Sequence, residues 1–323
     1  MLDGYGREID YLRVSVTDRC NLRCRYCMPA TGVKQKSHEE ILRLEEIVSL
    51  LEVAVGLGFK RVRFTGGEPL VRKNFSYLVA RTASLPGIED LALTTNGTLL
   101  AEQAAELRRA GLKRVNISLD TLDGEKFARL TRGGNLERVK EGVAAALRYK
   151  LEPVKLNVVI TRGFNEDEIE AFAALTRQEP VHVRFIELMP LGQATELNGF
   201  LPATEVLARL EQSVPLEPAA VPGNGPARYY RLAGGKGTIG FIAAISQCFC
   251  ARCNRLRLTA DGKLRPCLES EHEVDVRGPL RAGATREELA ALFRAAVAAK
   301  PARHRLGRRT PRQDARAMWQ IGG

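Results

Sequence analysis

Short apolar runs alternate with longer amphipathic ones through the first two-thirds of the chain. The runs at 11–17, 61–65, 88–95, 114–119, 154–161 and 181–187 are rich in Val, Ile, Leu and Phe, as buried parallel strands are. Between them, 40–55, 74–84, 98–110, 136–149 and 166–176 repeat apolar residues at helical spacing, with Gly58 and Gly111 where helices should stop. Strand alternating with helix predicts a parallel sheet covered by helices. Six such units are two short of a full barrel. The expected fold class is α/β, an incomplete (β/α)6 TIM-like barrel over residues 1–212.

The pattern breaks at roughly 211–225, where Pro215, Pro218, Pro222, Gly223, Gly225 and Pro226 crowd as in a linker or long loop. Short alternating runs follow at 228–232, 238–243, 255–259 and 263–265. Asp261-Gly262 between the last two is a strong hairpin signal. A helix at 286–299 is stopped by Pro301. Residues 213–323 therefore read as a small antiparallel α+β C-terminal module.

The chain has 323 residues, 45% of them hydrophobic, enough for one large core and a smaller module. No run of eighteen apolar residues exists, so no membrane span is expected. Asp3, Arg7, Glu8 and Asp10 interrupt the start, which lacks a signal-peptide core. A cytoplasmic location is expected, where cysteines serve as metal ligands more often than in disulfides. The seven cysteines form two groups: Cys20, Cys24 and Cys27, then Cys248, Cys250, Cys253 and Cys267. The net charge of +11 points to an anionic partner. Nucleic acid is the first class to consider. However, the basic residues are dispersed, several on predicted strands (Arg13, Arg61, Arg63, Lys155, Arg184), and no basic–aromatic repeat stands out. A multiply charged small molecule in a barrel mouth fits the charge as well.

Cys20-x-x-x-Cys24-x-x-Cys27 follows the first strand, on a loop at the strand's C-terminal end, where α/β barrels place their chemistry. Iron–sulfur clusters are held by thiolates. Three closely spaced cysteines leave one iron of a four-iron cubane open to a small chelating molecule. A zinc loop is the alternative, although zinc sites usually pair cysteines as C-x2–4-C and close with four ligands. Gly66-Gly67-Glu68-Pro69 closes the second strand. Its glycines let backbone approach a ligand, and its glutamate can accept from an ammonium group; a tight turn would use the same residues. Cys250-x-x-Cys253 precedes the hairpin, which returns Cys267 beside the pair. Alone, this segment reads as half a zinc ribbon, with Cys248 or His272 as a fourth ligand. Gly235-Lys236-Gly237-Thr238-Ile239-Gly240 matches G-x-G-x-x-G but leads into a strand pattern, the wrong context for dinucleotide binding. His182 reads as structural.

With Tyr26 before its last cysteine, the N-terminal loop resembles the signature of the radical S-adenosylmethionine (AdoMet) enzymes, and Gly66–Pro69 resembles their second motif. The resemblance implies a [4Fe–4S] cluster on Cys20, Cys24 and Cys27. Its open iron would chelate AdoMet's methionine group, and reduction would give a 5′-deoxyadenosyl radical. AdoMet contacts are implied for Tyr26, Gly67, Ser118 and Met189.

Phe249-Cys250-x-x-Cys253-Asn254-Arg255-x-Arg257-Leu258, with Asp261-Gly262-Lys263-Leu264 and Cys267-Leu268, is similar to a narrower family, the GTP 3′,8-cyclases of molybdenum-cofactor biosynthesis. Matching stretches include Arg13-x-Ser15-Val16-Thr17-Asp18-Arg19-Cys20, Thr94-Thr95-Asn96-Gly97, Ser118-Leu119-Asp120 and Arg184-Phe185-Ile186-Glu187. Gly237-x-Ile239-Gly240-Phe241-Ile242 and the terminal Ile321-Gly322-Gly323 match as well. This resemblance implies a second [4Fe–4S] cluster on Cys250, Cys253 and Cys267, its open iron facing the guanine ring. GTP contacts are implied for Arg13, Arg63, Thr94, Lys155, Arg255, Leu256 and Arg257, with Arg61 and Arg184 as neighbours. The Gly322-Gly323 tail would reach into the active site and be needed for activity. The implied lyase reaction removes hydrogen from ribose C3′ and joins C3′ to C8. A homodimer is implied, as is handover of the product to a separate cyclic pyranopterin monophosphate synthase. Cys248 departs from the family pattern, as a spare small hydrophobe or a fourth cluster ligand.

Overall fold

Alternation along single strands decides which side of the sheet faces the helices. In β1 (Tyr11–Ser15), Leu12 and Val14 are fully buried in the hydrophobic core, while Tyr11 and Arg13 line a cavity on the other face. The fold is that of a computed structural model, which describes residues 1–191, 193–194, 199–223, 225–306 and 316–322.

β1 is followed by β2 (Arg61–Thr65), β3 (Asp90–Thr95), β4 (Arg114–Ser118), β5 (Val154–Ile160) and β6 (Val181–Glu187), each parallel to the one before. The helices between them are α1 (Leu44–Gly56), α2 (Phe75–Ala83), α3 (Leu100–Arg109), α4 (Gly124–Thr131), α5 (Leu136–Arg148) and α6 (Ile169–Gln178). The six expected βα units are thus present. Helix α4 was not foreseen, although Asp123 caps it by accepting from Lys126 N–H at 2.9 Å.

After α7 (Ala203–Ser213) come β7 (Leu216–Ala219), β8 (Arg228–Leu232), β9 (Thr238–Ile242), β10 (Arg255–Leu258), β11 (Lys263–Arg265) and β12 (Val274–Asp275). The helices α8 (Arg277–Arg281), α9 (Arg286–Ala298) and α10 (Met318–Ile321) complete the described chain. The expected antiparallel pairs form, but they continue the barrel sheet instead of standing apart from it. β9 adds to β6 and β10 adds to β1, both in parallel, so eight parallel strands stand in the order β10-β1-β2-β3-β4-β5-β6-β9. Antiparallel β8 and β7 extend one edge, and β11 and β12 the other. The loop expected at 211–225 contains β7, with Pro218 in it. Pro218 sits in the outermost strand, where proline is tolerated.

β9 and β10 are not neighbours. The chain between them, 243–254, must travel from the C-terminal end of the parallel strands back to their N-terminal end. It carries Cys248, Cys250 and Cys253 along the open side of the barrel. Gly237 allows the tight entry to β9, since a Cβ there would lie 1.8 Å from the Val181 carbonyl oxygen. The G-x-G-x-x-G run therefore serves strand packing.

Candidate active site

Charged side chains project into the interior of this partial barrel. Register places Arg257, Arg13 and Arg63 in one row across β10, β1 and β2. These three, with Thr94, Ser118, Arg184, Arg255 and Met189, line a single cavity. All six expected ligand cysteines, Cys20, Cys24, Cys27, Cys250, Cys253 and Cys267, line the same cavity. The two groups sit at opposite ends. Cys20–Cys27 follows the C-terminal end of β1, whereas Cys253 precedes the first residue of β10, which pairs with Tyr11 at the start of β1. Strand length separates them by on the order of 15 Å.

The first cysteine loop turns on bonds from Cys27 N–H (2.9 Å) and Met28 N–H (3.0 Å) to the Cys24 carbonyl. It docks on the end of α4: Arg25 N–H donates to Leu130 O at 2.9 Å, and Arg132 Nη1 donates to the carbonyls of Arg23 (2.8 Å) and Met28 (2.7 Å). Burial pushes the Cys20 thiol up to about 11, the Cys27 thiol to about 12, and Cys24 well above the usual thiol range. Without a cation the trio stays protonated; a bound metal deprotonates such thiols outright. Among the described residues, the three do not draw close enough to hold one ion between them, as Cys248, Cys250 and His304 do. A half-buried, all-sulfur and widely set donor trio fits a cubane better than a single zinc.

Gly66 and Gly67 press against the chain that leads into this loop. A Cβ on Gly66 would meet Thr17 O at 2.6 Å, and one on Gly67 would meet Arg19 O at 2.3 Å. Glu68 is structural: it accepts from Leu70 N–H (3.0 Å), Thr95 Oγ1 (2.8 Å) and Asn96 N–H (2.7 Å), and does not line the cavity. Its expected role towards an ammonium group is thus displaced by tying β2 to β3. Tyr26 donates to Asp120 Oδ2 at 2.7 Å, and Val159 N–H donates to Asp120 Oδ1 at 2.7 Å. Burial raises the Asp120 carboxyl to about 6. Asp120, in the quoted Ser118-Leu119-Asp120 stretch, was missed as a site residue.

The basic wall is crowded. Burial, then Arg255, lowers Arg257 to about 10, and burial lowers Arg63 to about 10. Arg63 Nε is buried with no hydrogen-bond partner among the described residues. Such a row calls for an anion. Two expected contacts lie off the cavity wall. Lys155 is 2% exposed and donates to Pro222 O at 2.7 Å; burial, then Arg184 and Arg114, lowers it to about 6. Leu256, between two cavity-facing arginines on β10, is fully buried in the core, so a ligand contact would fall to its main chain. Arg61 pairs with Asp10 at the far end of β2, away from the cavity. Arg184 does reach it, with Nε donating to Asn157 Oδ1 at 2.9 Å. His182 bonds Thr238 Oγ1 at 2.8 Å, as a structural residue would.

The C-terminal tail enters the same cavity. Trp319 lines it together with Cys27, and Arg257 Nη1 donates to the Gly322 carbonyl at 2.6 Å. Gly323 lies outside the described residues. Trp319 and Met318 line the cavity and were not foreseen, although Trp319 is the chain's one tryptophan and sits beside the glycine tail. At the second cysteine group, Lys300 donates to the carbonyls of Arg255 (2.6 Å) and Pro266 (2.7 Å). Burial opposes the Cys253 thiolate, but Arg255 and Lys300 more than offset it, leaving the thiol at about 7. His272 is exposed and off the cavity; the histidine beside Cys250 is His304.

Residues 14–176 match the radical SAM superfamily, and residues 181–306 match the Molybdenum Cofactor Synthesis C family. The chain is 58% identical to the GTP 3′,8-cyclase of Moorella thermoacetica and 55% identical to that of Pelotomaculum thermopropionicum, in each case over 100% of both chains. Its fold is similar to that of Streptococcus suis SuiB bound to S-adenosylmethionine, with a TM-score of 0.61 at 14% identity over 89% of this chain and 68% of that one. With whole-length identity of this order, the chain belongs to the GTP 3′,8-cyclase family of radical AdoMet enzymes.

Proposed function

We propose that this chain converts GTP to (8S)-3′,8-cyclo-7,8-dihydroguanosine 5′-triphosphate, using a [4Fe–4S] cluster and AdoMet at one end of the cavity and a second [4Fe–4S] cluster at the other. The observation that carries the reading is that two cysteine trios and a row of arginines line one cavity. Cys20, Cys24 and Cys27 would hold the first cluster, and Cys250, Cys253 and Cys267 the second. When bound, AdoMet and the first cluster would supply a 5′-deoxyadenosyl radical to remove hydrogen from ribose C3′; C3′ would then bond to C8 of guanine, and one electron from the external donor with one proton would close the resulting nucleotide radical.

The residues of this chain bind, orient and exclude water. Tyr26 and Asp120 form a fixed hydrogen-bonded wall beside Cys24, with Ser118, Gly67 and Met189 completing the AdoMet surface. Arg13, Arg63, Arg255 and Arg257, with Thr94, provide donors for a triphosphate. Each charge-assisted contact is worth roughly 1.5–3 kcal/mol. Lys155 joins them if the segment at Pro222 gives way. Arg257 holds Gly322, and through it the tail, against the mouth of the barrel. Guanine would lie towards the second trio, with the ribose towards AdoMet.

Among the described residues no helix is long and apolar enough to cross a membrane. We place the enzyme in the cytoplasm as a homodimer, fed by an external electron donor and passing its product to cyclic pyranopterin monophosphate synthase. The test is anaerobic turnover with GTP, AdoMet and dithionite. Formation of 5′-deoxyadenosine with an isomer of GTP is expected; deoxyadenosine without that isomer would send the reading to another substrate.

A further inference from the structure

We propose that Cys248, Cys250 and His304 form a mononuclear divalent-metal site of the zinc class, which competes with the second cluster for Cys250. Their ligand atoms all lie within 4.8 Å of one another. Zinc–thiolate and zinc–imidazole bonds of about 2.0–2.3 Å place tetrahedral ligands roughly 3.5–4 Å apart. Ligands to one ion stand this close, whereas thiolates on separate irons of a cubane stand wider.

His304 is oriented as a metal-bound histidine is. Its Nε2 faces the Ala244 carbonyl oxygen at 2.8 Å. Donation there fixes the proton on Nε2 and leaves the Nδ1 lone pair for a metal, the arrangement by which ligating histidines are held. The competing contact at Nδ1, from Leu306 N–H, is long at 3.3 Å. The His304 main-chain N–H also points at Cys250 Sγ at 3.5 Å. Binding would release two thiol protons and leave a fourth position for water. Cys253 is not part of this close group.

Cys250 cannot serve both metals in full. A chain loaded with zinc would therefore accept only the N-terminal cluster. This consequence rests on the two-cluster reading; the zinc-class site does not.

The test is cobalt titration of the full-length chain, freed of metal and reduced, with Cys20, Cys24 and Cys27 replaced by Ala to silence the N-terminal ligands. Circular dichroism would check that each variant is folded. Tetrahedral d–d bands with thiolate-to-cobalt charge transfer are expected. Cobalt affinity should fall at least tenfold in Cys248→Ala and His304→Ala and stay within about twofold in Cys253→Ala. Loss in Cys253→Ala with wild-type affinity in the other two would overturn the site in favour of a ribbon, as would the absence of tetrahedral bands. Wild-type protein preloaded with zinc should then take up about four irons on reconstitution instead of about eight, and His304→Ala should recover eight. Cobalt binding as expected with eight irons still loaded would leave the site standing and refute its competition with the cluster.

Discussion

Arg257 Nη1 donates to the carbonyl of Gly322 at 2.6 Å, joining β10 to the tail 65 residues later in the chain. Gly322 has φ +83°, and a Cβ there would lie 2.8 Å from Thr65 Cγ2 and 3.1 Å from Ser15 Cβ. Gly322→Ala should therefore expel the tail, with backbone strain of about 1–2 kcal/mol adding to the collision. We expect at least a tenfold loss of cyclised nucleotide with iron loading unchanged from wild type, measured by product mass spectrometry and iron content. Wild-type turnover would show that the tail does not act from this position.

The protonation of Lys155 gives a pH-dependent signature. Burial and the surrounding arginines hold it at about 6 in the ligand-free protein, so it is mostly neutral at pH 8. A triphosphate beside it would favour the ammonium form. GTP binding at pH 8 should then take up a proton, and affinity should fall as pH rises from about 6 towards the higher value of the complex. Calorimetry in buffers of different ionisation enthalpy measures the uptake, and Lys155→Met should abolish it. Uptake that persists in Lys155→Met would assign the proton elsewhere.

Much of the site was legible because it lies at strand ends and on alternating strand positions. Arg13, Arg63, Arg255 and Arg257 stand at every second residue of runs whose other members are apolar, and period two sends them all inside. Leu256 was placed among them by resemblance, yet the same period turns its side chain into the core. The parallel addition of β9 and β10 was hidden, because short alternating strands next to an Asp-Gly hairpin resemble any antiparallel module. Helix α4 is only eight residues long, too short for its periodicity to stand out, although it seats the first cysteine loop. His304 and Lys300 could be recognised only after folding brought them beside cysteines far away in the sequence.

Lys300 should position the second trio. Its ammonium is buried and bridges the carbonyls of Arg255 and Pro266, next to Cys253 and Cys267. Lys300→Met would leave both carbonyls without this donor, at roughly 1–3 kcal/mol each. Iron content should drop from about eight to about four per chain, with the N-terminal cluster retained. Full iron loading and unchanged stability to urea would remove Lys300 from that role.

Tyr26→Phe deletes the 2.7 Å bond to Asp120 and leaves that buried carboxyl held by Val159 N–H. A hydrogen bond to such a group is worth roughly 1.5–3 kcal/mol. We expect the KM for AdoMet to rise about tenfold or more with the cluster intact. In a double-mutant cycle with Asp120→Asn, the two effects should not add. Full additivity would mean the pair does not act as a unit.

The most direct test of the central claim is made on anaerobically reconstituted protein given GTP, AdoMet and dithionite, with 5′-deoxyadenosine and nucleotide products followed by mass spectrometry. The account predicts equal appearance of deoxyadenosine and a GTP isomer in the wild type, and neither above background in Cys24→Ala. A Cys24→Ala variant that forms both would contradict it.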